Sequence, residues 1–507
     1  MGLTDLVEFW EREVKPRFRE VDIESMVSLS DGSEVKYVNL DNAATTIPFR
    51  SVIEKIINSL SEYGSVHRGS GQHSKVTTAR YEHVRETIRR FVGASSDDYI
   101  IFTSNTTTAV HLAASLWAQR SGFILVSDAE HSSNLTPWVQ HEHIKNNGRV
   151  VREYNTNPDG TIDIEQIRQC FERANNDDEK IKTFTTNSLR IKLLAVTGAS
   201  NLTGYKPQIY ELAKLAHSYG AKIFVDACQL LQHEQIDMLP DDDPCHIDFI
   251  AFSGHKMYAP FGAGVLVGPK DFFDGRDLPA PFFGIDFLNL VYGSVYQLGG
   301  GNIPYIDSGG NVLRPKIERA HEPGTPNFAG AIAIEEAIIL LEEIGMNRIK
   351  EYEHQLVALA LDGMMKISNV KIYLPKNKIC YPKDETGDYI IGSVIPFDIE
   401  GLPHKLVAEI LAQEYGIGVR AGSFCTYELI RKLKGITKEQ DQEITKEVLS
   451  GVTANIPGLV RASFSMINNL EDVNRFVSAI SEISGKDIGY YRQRYELDER
   501  TGEWRVK

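Results

Sequence analysis

Short apolar runs that end in small polar residues recur along the first two thirds of this chain. Between them lie longer segments with the three-to-four residue spacing of an amphipathic helix. The stretch "YVNLDNAATTIP" predicts a short strand running into a turn. Residues 75–92 place Val76, Ala79, Val84, Ile88 and Phe91 at helical spacing. Next, "YIIFTSNTTTAVHLAASL" reads as an apolar run, a polar turn and a helix with a hydroxyl-rich first turn. "GFILVSD" predicts a buried strand, then a loop and a helix around Trp138. "VVREYN", "IKLLAVTGASN", "AKIFVDACQ" and "DFIAFSGHK" predict further strands, and "QIYELAKLAHSYG" a helix closed by Gly220. Strands apolar on both faces that alternate with helices predict an α/β fold: a mostly parallel mixed sheet sandwiched by helices.

The pattern changes at about 271–315, where Gly, Pro and aromatic residues accumulate as in a long loop or hairpin insertion. A long helix, or two, follows from about 329, and a βα pattern resumes from about 370 as in a smaller α+β domain. The expected organisation is an N-terminal helix and connector at 1–35, packing with the small domain. A large domain at 36–325, a small domain at 326–485 and a surface-docked tail at 486–507 complete it.

Composition narrows the function. Over 507 residues the formal net charge is −15, the wrong sign for a general nucleic-acid or anionic-membrane binder. The basic cluster Arg85, Arg89 and Arg90 reads as the solvated side of a helix. Five cysteines (Cys170, Cys228, Cys245, Cys380, Cys425) are scattered without CxxC spacing, which fits a reducing cytoplasm and speaks against a disulfide framework or structural zinc. No metal is expected. The N-terminus lacks the apolar core of a secretory signal, and no uncharged apolar run is long enough to span a bilayer.

In a parallel α/β sheet, ligands bind beyond the carboxyl ends of the strands. The polar groups that end the apolar runs therefore matter as a set: Asn105 to Thr107, Asp128 to His131, Ser200 and Asn201, Asp226 to Gln229, and Ser253 to Lys256. They combine hydroxyls at a helix N-terminus, suited to a phosphate, with an aspartate, histidines and a lysine. A lysine following an apolar run is unlike the solvated majority of lysines. One cofactor needs a lysine Schiff base, a carboxylate facing a pyridinium nitrogen and a phosphate cradle: pyridoxal 5'-phosphate.

These residues also carry a resemblance. "VDACQ", with Asp226, and "FSGHK", with Lys256 thirty residues on, are similar to the class V, fold-type I pyridoxal-phosphate enzymes, and among them to cysteine desulfurases and selenocysteine lyases. The likeness runs in order through "YVNLDNAATT", "VHRGSGQHS", "SNTTTAVHL", "AEHSSNLTPW", "GASNLTG", "EPGTPN", "GVRAGSFC" and "VRASFSMINNLEDV", covering roughly residues 36–485. The resemblance implies the fold-type I large domain with its smaller α+β domain, and a homodimer. It makes Lys256 the Schiff-base residue and Asp226 the partner of the ring nitrogen. His131 would stack on the ring and shuttle protons, and Gln229 would bond the phenolic oxygen. Thr106, Thr107, Ser253 and His255 would hold the phosphate, and Thr325 that of the partner subunit. Asn201 would lie near the cofactor oxygen and the substrate carboxylate. Arg461 would clamp that carboxylate with its planar fork, with Arg420 close by. His67 would lie near the substrate sulfur. Cys228, beside Gln229, is read as a packing residue.

The cofactor does not choose the reaction. Cys425, five positions after Arg420, does. In the resembled desulfurases a cysteine at this distance attacks the sulfur of bound cysteine, and a thiolate suits that step. The implied reaction converts L-cysteine to L-alanine and leaves sulfur as a persulfide on Cys425, for transfer to an acceptor protein or thiol. Phe424 stands where the short-loop bacterial enzymes often have histidine. Other class V chemistries (selenocysteine lyase, C–S β-lyase, aminotransferase, epimerase) and a non-catalytic scaffold stay open at this point.

Overall fold

The computed structural model describes residues 1–118, 120, 122–140, 151–176, 190–275, 300–302, 305–306, 308, 312–313, 318–375 and 391–507. Its larger sheet is built from β1 (Asp98–Thr103), β2 (Phe123–Ser127), β3 (Val151–Tyr154), β4 (Ile191–Thr197), β5 (Lys222–Asp226), β6 (Phe249–Ser253) and β7 (Gly264–Pro269). They lie side by side in the order β1-β7-β6-β5-β4-β2-β3. Only β7 runs against its neighbours, pairing antiparallel with both β1 and β6; the other pairings are parallel.

Side chains of a strand alternate between faces, so a doubly covered sheet splits into two cores. That happens here. Ile100, Leu125, Leu194, Val225, Ile250 and Val265 join one buried cluster, while their sequence neighbours Ile101, Val126, Ala195, Phe224, Ala251 and Leu266 join the other. The helices that cover the sheet include α1 (Gln72–Val92), α2 (Thr106–Trp117) and α3 (Ile209–Ser218). The expected long helix is two, α4 (Phe328–Ile344) and α5 (Met346–Met364). Gly345 separates them at φ +94, a backbone angle that side chains beyond glycine resist.

A second, antiparallel sheet holds β8 (Val370–Ile372), β9 (Val394–Ile399), β10 (Arg420–Gly422) and β11 (Leu459–Ser463), in the order β8-β9-β11-β10. The helix His404–Tyr415 packs on β9, β10 and β11, α6 (Tyr427–Lys434) and α7 (Leu470–Ser484) follow in the chain, and α5 packs along α7. Residues 38–42 belong here too: Val38 pairs with Ile417, and Asp41 bridges Ser463.

Two regions gain detail and one expectation changes. The first 35 residues hold more than a helix and connector: after the helical stretch, Met26–Ser28 and Glu34–Lys36 pair as a hairpin. The tail forms a short helix, Ile488–Arg492, and a hairpin of Tyr495–Leu497 with Trp504–Val506. Buried Tyr491, Tyr495 and Trp504 anchor it, where periodicity alone gives no element. Arg85 is not on a solvated face. It is buried, and its guanidinium makes two bonds to Glu322, at 2.8 and 2.9 Å. Most of the insertion at 271–315 lies outside the described residues; within them, Tyr305–Ile306 pairs antiparallel with Val312–Leu313.

Candidate active site

The carboxyl ends of β4, β5 and β6 and the N-terminus of α2 open into one cavity of about 330 Å³. Its wall includes Thr106, Thr107, His131, Asn201, Asp226, Gln229, Ser253, His255, Lys256, Arg420, Cys425 and Arg461. Elements more than three hundred residues apart in sequence thus converge on one volume.

Each side chain is placed by its element. Asp226 ends β5, buried, and accepts from the Cys228 backbone N–H at 3.0 Å. Lys256 closes a 3₁₀ turn, Gly254–Lys256, directly after β6. Gly254 fits there because a Cβ would come within 2.8 Å of Ile334 on α4. Asn105 caps α2, its side chain accepting from Thr108 N–H at 2.9 Å. Ser253 reaches the same helix start, accepting from the Thr106 N–H at 2.8 Å and lying 2.6 Å from the Thr106 hydroxyl. Thr107 Oγ1 meets Ser133 Oγ at 2.7 Å. Gln229 donates to the Ala43 carbonyl at 2.7 Å. His131 Nδ1 accepts from Ser133 N–H at 3.1 Å, which puts the proton of the neutral ring on Nε2.

The second sheet supplies the rest. Arg461 on β11 is buried, donating to the Asn201 carbonyl at 3.0 Å and to Asp41 at 2.8 Å. Its guanidinium carbon lies 4.8 Å from the centre of the Phe424 ring. Arg420 stands opposite Arg461 in the ladder between β10 and β11. Phe424 and Cys425 both adopt left-handed backbone, φ 55 and 57. The Cys425 carbonyl accepts from the Ser132 N–H and hydroxyl at 2.8 and 2.9 Å, and Asn201 donates to the Phe424 carbonyl at 2.8 Å. These bonds fix the loop against the His131 segment with the cysteine on the cavity wall.

Two residues named from the sequence stand elsewhere. His67, also left-handed at φ 62, pairs with Glu82 at 2.6 Å. Thr325 lines a separate cavity with Tyr81 and Glu322. Conversely, Cys228 does more than pack: it lines the cavity and accepts from the Thr106 hydroxyl at 3.2 Å. Sequence reasoning passes over Asp41, Ala43 and Ser133. The first two lie in "YVNLDNAATT", a stretch whose likeness to the family assigns no role to its separate residues.

Residues 38–284 and 290–476 match the family model described as aminotransferase class-V. The chain belongs to the class-V aminotransferase family. Over 477 residues it is 31% identical to the "Probable cysteine desulfurase" of Halalkalibacterium halodurans, covering 93% of this chain and 97% of that protein. A cysteine desulfurase of Escherichia coli is 29% identical over 425 residues, 83% of this chain and 86% of that one. Among solved structures, the apo cysteine desulfurase of Thermococcus onnurineus superposes with a TM-score of 0.70 at 28% identity, covering 89% and 95% of the two chains. This class-V enzyme therefore has the fold and the kinship that its motifs imply, in a family whose members depend on pyridoxal phosphate.

The electrostatics of the class-V cavity suit that cofactor. Burial raises the Asp226 carboxyl above its usual range, opposed by the Cys228 N–H and by Lys256. Such a carboxylate gains from a cationic partner, as a protonated ring nitrogen would be. Burial, then Lys256, Arg461 and Arg420, push His131 down to about 4, so it faces the cavity as a neutral ring at pH 7. Burial and Lys256 bring His255 to about 4 as well. Arg461 Nε is buried with no partner among the described residues. Arg461, paired with Asp41, thus keeps one donor free beside the Arg420 guanidinium across the ladder, a pair of the kind that grips a carboxylate.

Proposed function

We propose that this chain is a pyridoxal-phosphate-dependent cysteine desulfurase, which converts L-cysteine to L-alanine and holds the sulfur as a persulfide on Cys425. The observation that carries the reading is the Cys425 side chain on the wall of the cavity that Lys256, Asp226 and Arg461 also line. Lys256 would hold the cofactor covalently and Asp226 its ring nitrogen, with Gln229 at the ring oxygen. Thr106, Thr107, Ser253 and His255 would take the phosphate at the α2 N-terminus. When bound, the cofactor supplies an electron sink for bonds broken at the substrate Cα.

The chain's own groups do the remainder. Arg461 and Arg420 bind the substrate carboxylate, which relieves the opposition of two like charges. The amine of Lys256 takes the Cα proton. His131, held neutral, presents a proton on Nε2 to the cavity. The Cys425 thiolate attacks the substrate sulfur: an S–S bond forms as the Cβ–S bond breaks. The electron pair stays with the substrate carbon, which gains a proton and leaves as alanine. The sulfur then passes to an acceptor protein or thiol.

A homodimer is part of the proposal. Thr325 lies outside its own chain's cavity, in keeping with a role at a partner's phosphate. No described helix is long and apolar enough to cross a membrane. The four described cysteines are unpaired, which supports a cytoplasmic home. The test is intact mass after incubation with L-cysteine. Wild type should gain sulfur that maps to Cys425, and Cys425→Ala should lose alanine formation. Undiminished alanine and sulfide from Cys425→Ala without added thiol would sink the persulfide route.

A further inference from the structure

Two histidines and an aspartate converge at the opposite edge of the sheet, by the amino ends of β5 and β6. His217 lies in the last turn of α3, and His246 and Asp248 lie just before β6. Their ligand atoms all fall within 4.8 Å of one another. His217 Nε2 is 2.9 Å from Asp248 Oδ2, and His246 Nε2 is 3.5 Å from Oδ1. The two rings stack with centroids 4.1 Å apart. Lys222, at the start of β5, places Nζ 2.6 Å from Asp248 Oδ1.

The other nitrogen of each ring decides what this cluster wants. His217 Nδ1 is 2.8 Å from the Pro244 carbonyl oxygen, and His246 Nδ1 is 2.7 Å from that of Asp243. A carbonyl only accepts, so both rings carry a proton on Nδ1. As neutral imidazoles they then aim two Nε2 lone pairs at a carboxylate. As imidazoliums they would stack two cations 4.1 Å apart, beside the Lys222 ammonium. A divalent cation resolves both conflicts. Backbone carbonyls holding Nδ1–H are also what orients histidine ligands toward a metal. Ligand atoms at about 2.0–2.1 Å around a tetrahedral ion stand about 3.3 Å apart; the two nitrogens lie 2.9 and 3.5 Å from one or other Asp248 oxygen, and all three ligand atoms lie within 4.8 Å.

We propose that His217, His246 and Asp248 form a Zn²⁺ site that staples the end of α3 to the segment entering β6. Two imidazoles and a carboxylate suit that ion and leave a fourth position to solvent. Lys222 is its competitor for Oδ1; that side chain is 40% exposed and can swing out. Such a site has no signature in the sequence, because His217 and His246 are 29 positions apart (246 − 217) and no cysteine is involved. The zinc site is independent of the reaction proposed above.

The test is calorimetric titration of chelator-treated, cofactor-loaded protein with Zn²⁺. Wild type should take up about one ion per chain with a heat-denaturation midpoint that rises on binding. His246→Ala should weaken that binding at least about tenfold, by loss of a ligand. Lys222→Ala, which keeps all three ligands, should bind several-fold more tightly than wild type. A Co²⁺-loaded sample should show no thiolate charge-transfer band. Absence of uptake by both wild type and Lys222→Ala, or uptake that survives His246→Ala unchanged, overturns the proposal.

Discussion

Buried histidines tie single residues of this protein to pH. Burial, then Lys405 and Lys434, bring His404 down to about 4, and its Nε2 has no partner among the described residues. The folded state thus favours the neutral ring. Between pH 6.5 and about 4 the unfolded chain takes up a proton that the folded chain does not. The contribution of this residue is therefore present above pH 6.5 and is lost as pH falls through that window. Other groups titrate there with the opposite sign: burial raises Glu130 to about 7 and Asp98 to about 6. The difference between wild type and one variant isolates the effect. Urea denaturation of both at pH 7 and pH 4.5 should show His404→Gln gaining on wild type as the pH falls. An unchanged gap would mean that the ring is not held neutral.

Elements are joined here by charges that pattern alone misplaces. Glu322 accepts from Arg85 on α1, from Tyr81 Oη at 2.9 Å and from the Phe102 N–H on β1 at 2.8 Å. Glu322→Ala would take two bonds from the buried Arg85 guanidinium and leave it only Glu82, at 2.9 Å, and the Ile100 carbonyl among the described residues, at a cost of about 3 kcal/mol. The double variant Arg85→Met/Glu322→Leu should recover most of that loss, as urea midpoints of the two single variants and the pair would show. The strands of the larger sheet are legible in the sequence because apolar runs closed by polar residues report both burial and the edge where ligands collect. Asp226, Ser253 and Lys256 emerge from that rule. Arg85 does not, because helical spacing cannot reveal an acid 237 positions away that lets a cation go inside. The same blindness hides Asp41, whose importance rests on a contact with Arg461.

At the scale of the whole molecule, the first residues belong to its core. Leu6, Phe9, Trp10, Val14 and Phe18 are all buried. Trp10 donates to the Ile467 carbonyl at 3.0 Å, while Phe18 packs 6.0 Å from Tyr258, two residues past Lys256. Each such side chain contributes about 1.5–3 kcal/mol, so five of them rival the net stability of a typical domain, about 5–15 kcal/mol. Deletion of residues 1–18 should abolish soluble, cofactor-binding protein; a soluble product with an intact thermal transition would contradict this. The bond between Asp41 and Arg461 spans 420 positions and carries a consequence for synthesis. A ribosome makes Asp41 early, and Lys256 emerges with most of the larger sheet, but Arg461, the proposed carboxylate clamp, waits for β11. At about 5–20 residues per second, the nascent protein passes many seconds with the proposed Schiff-base lysine made and its cavity unfinished. Protection of that lysine in the interval falls to whatever the early-formed half can fold around it.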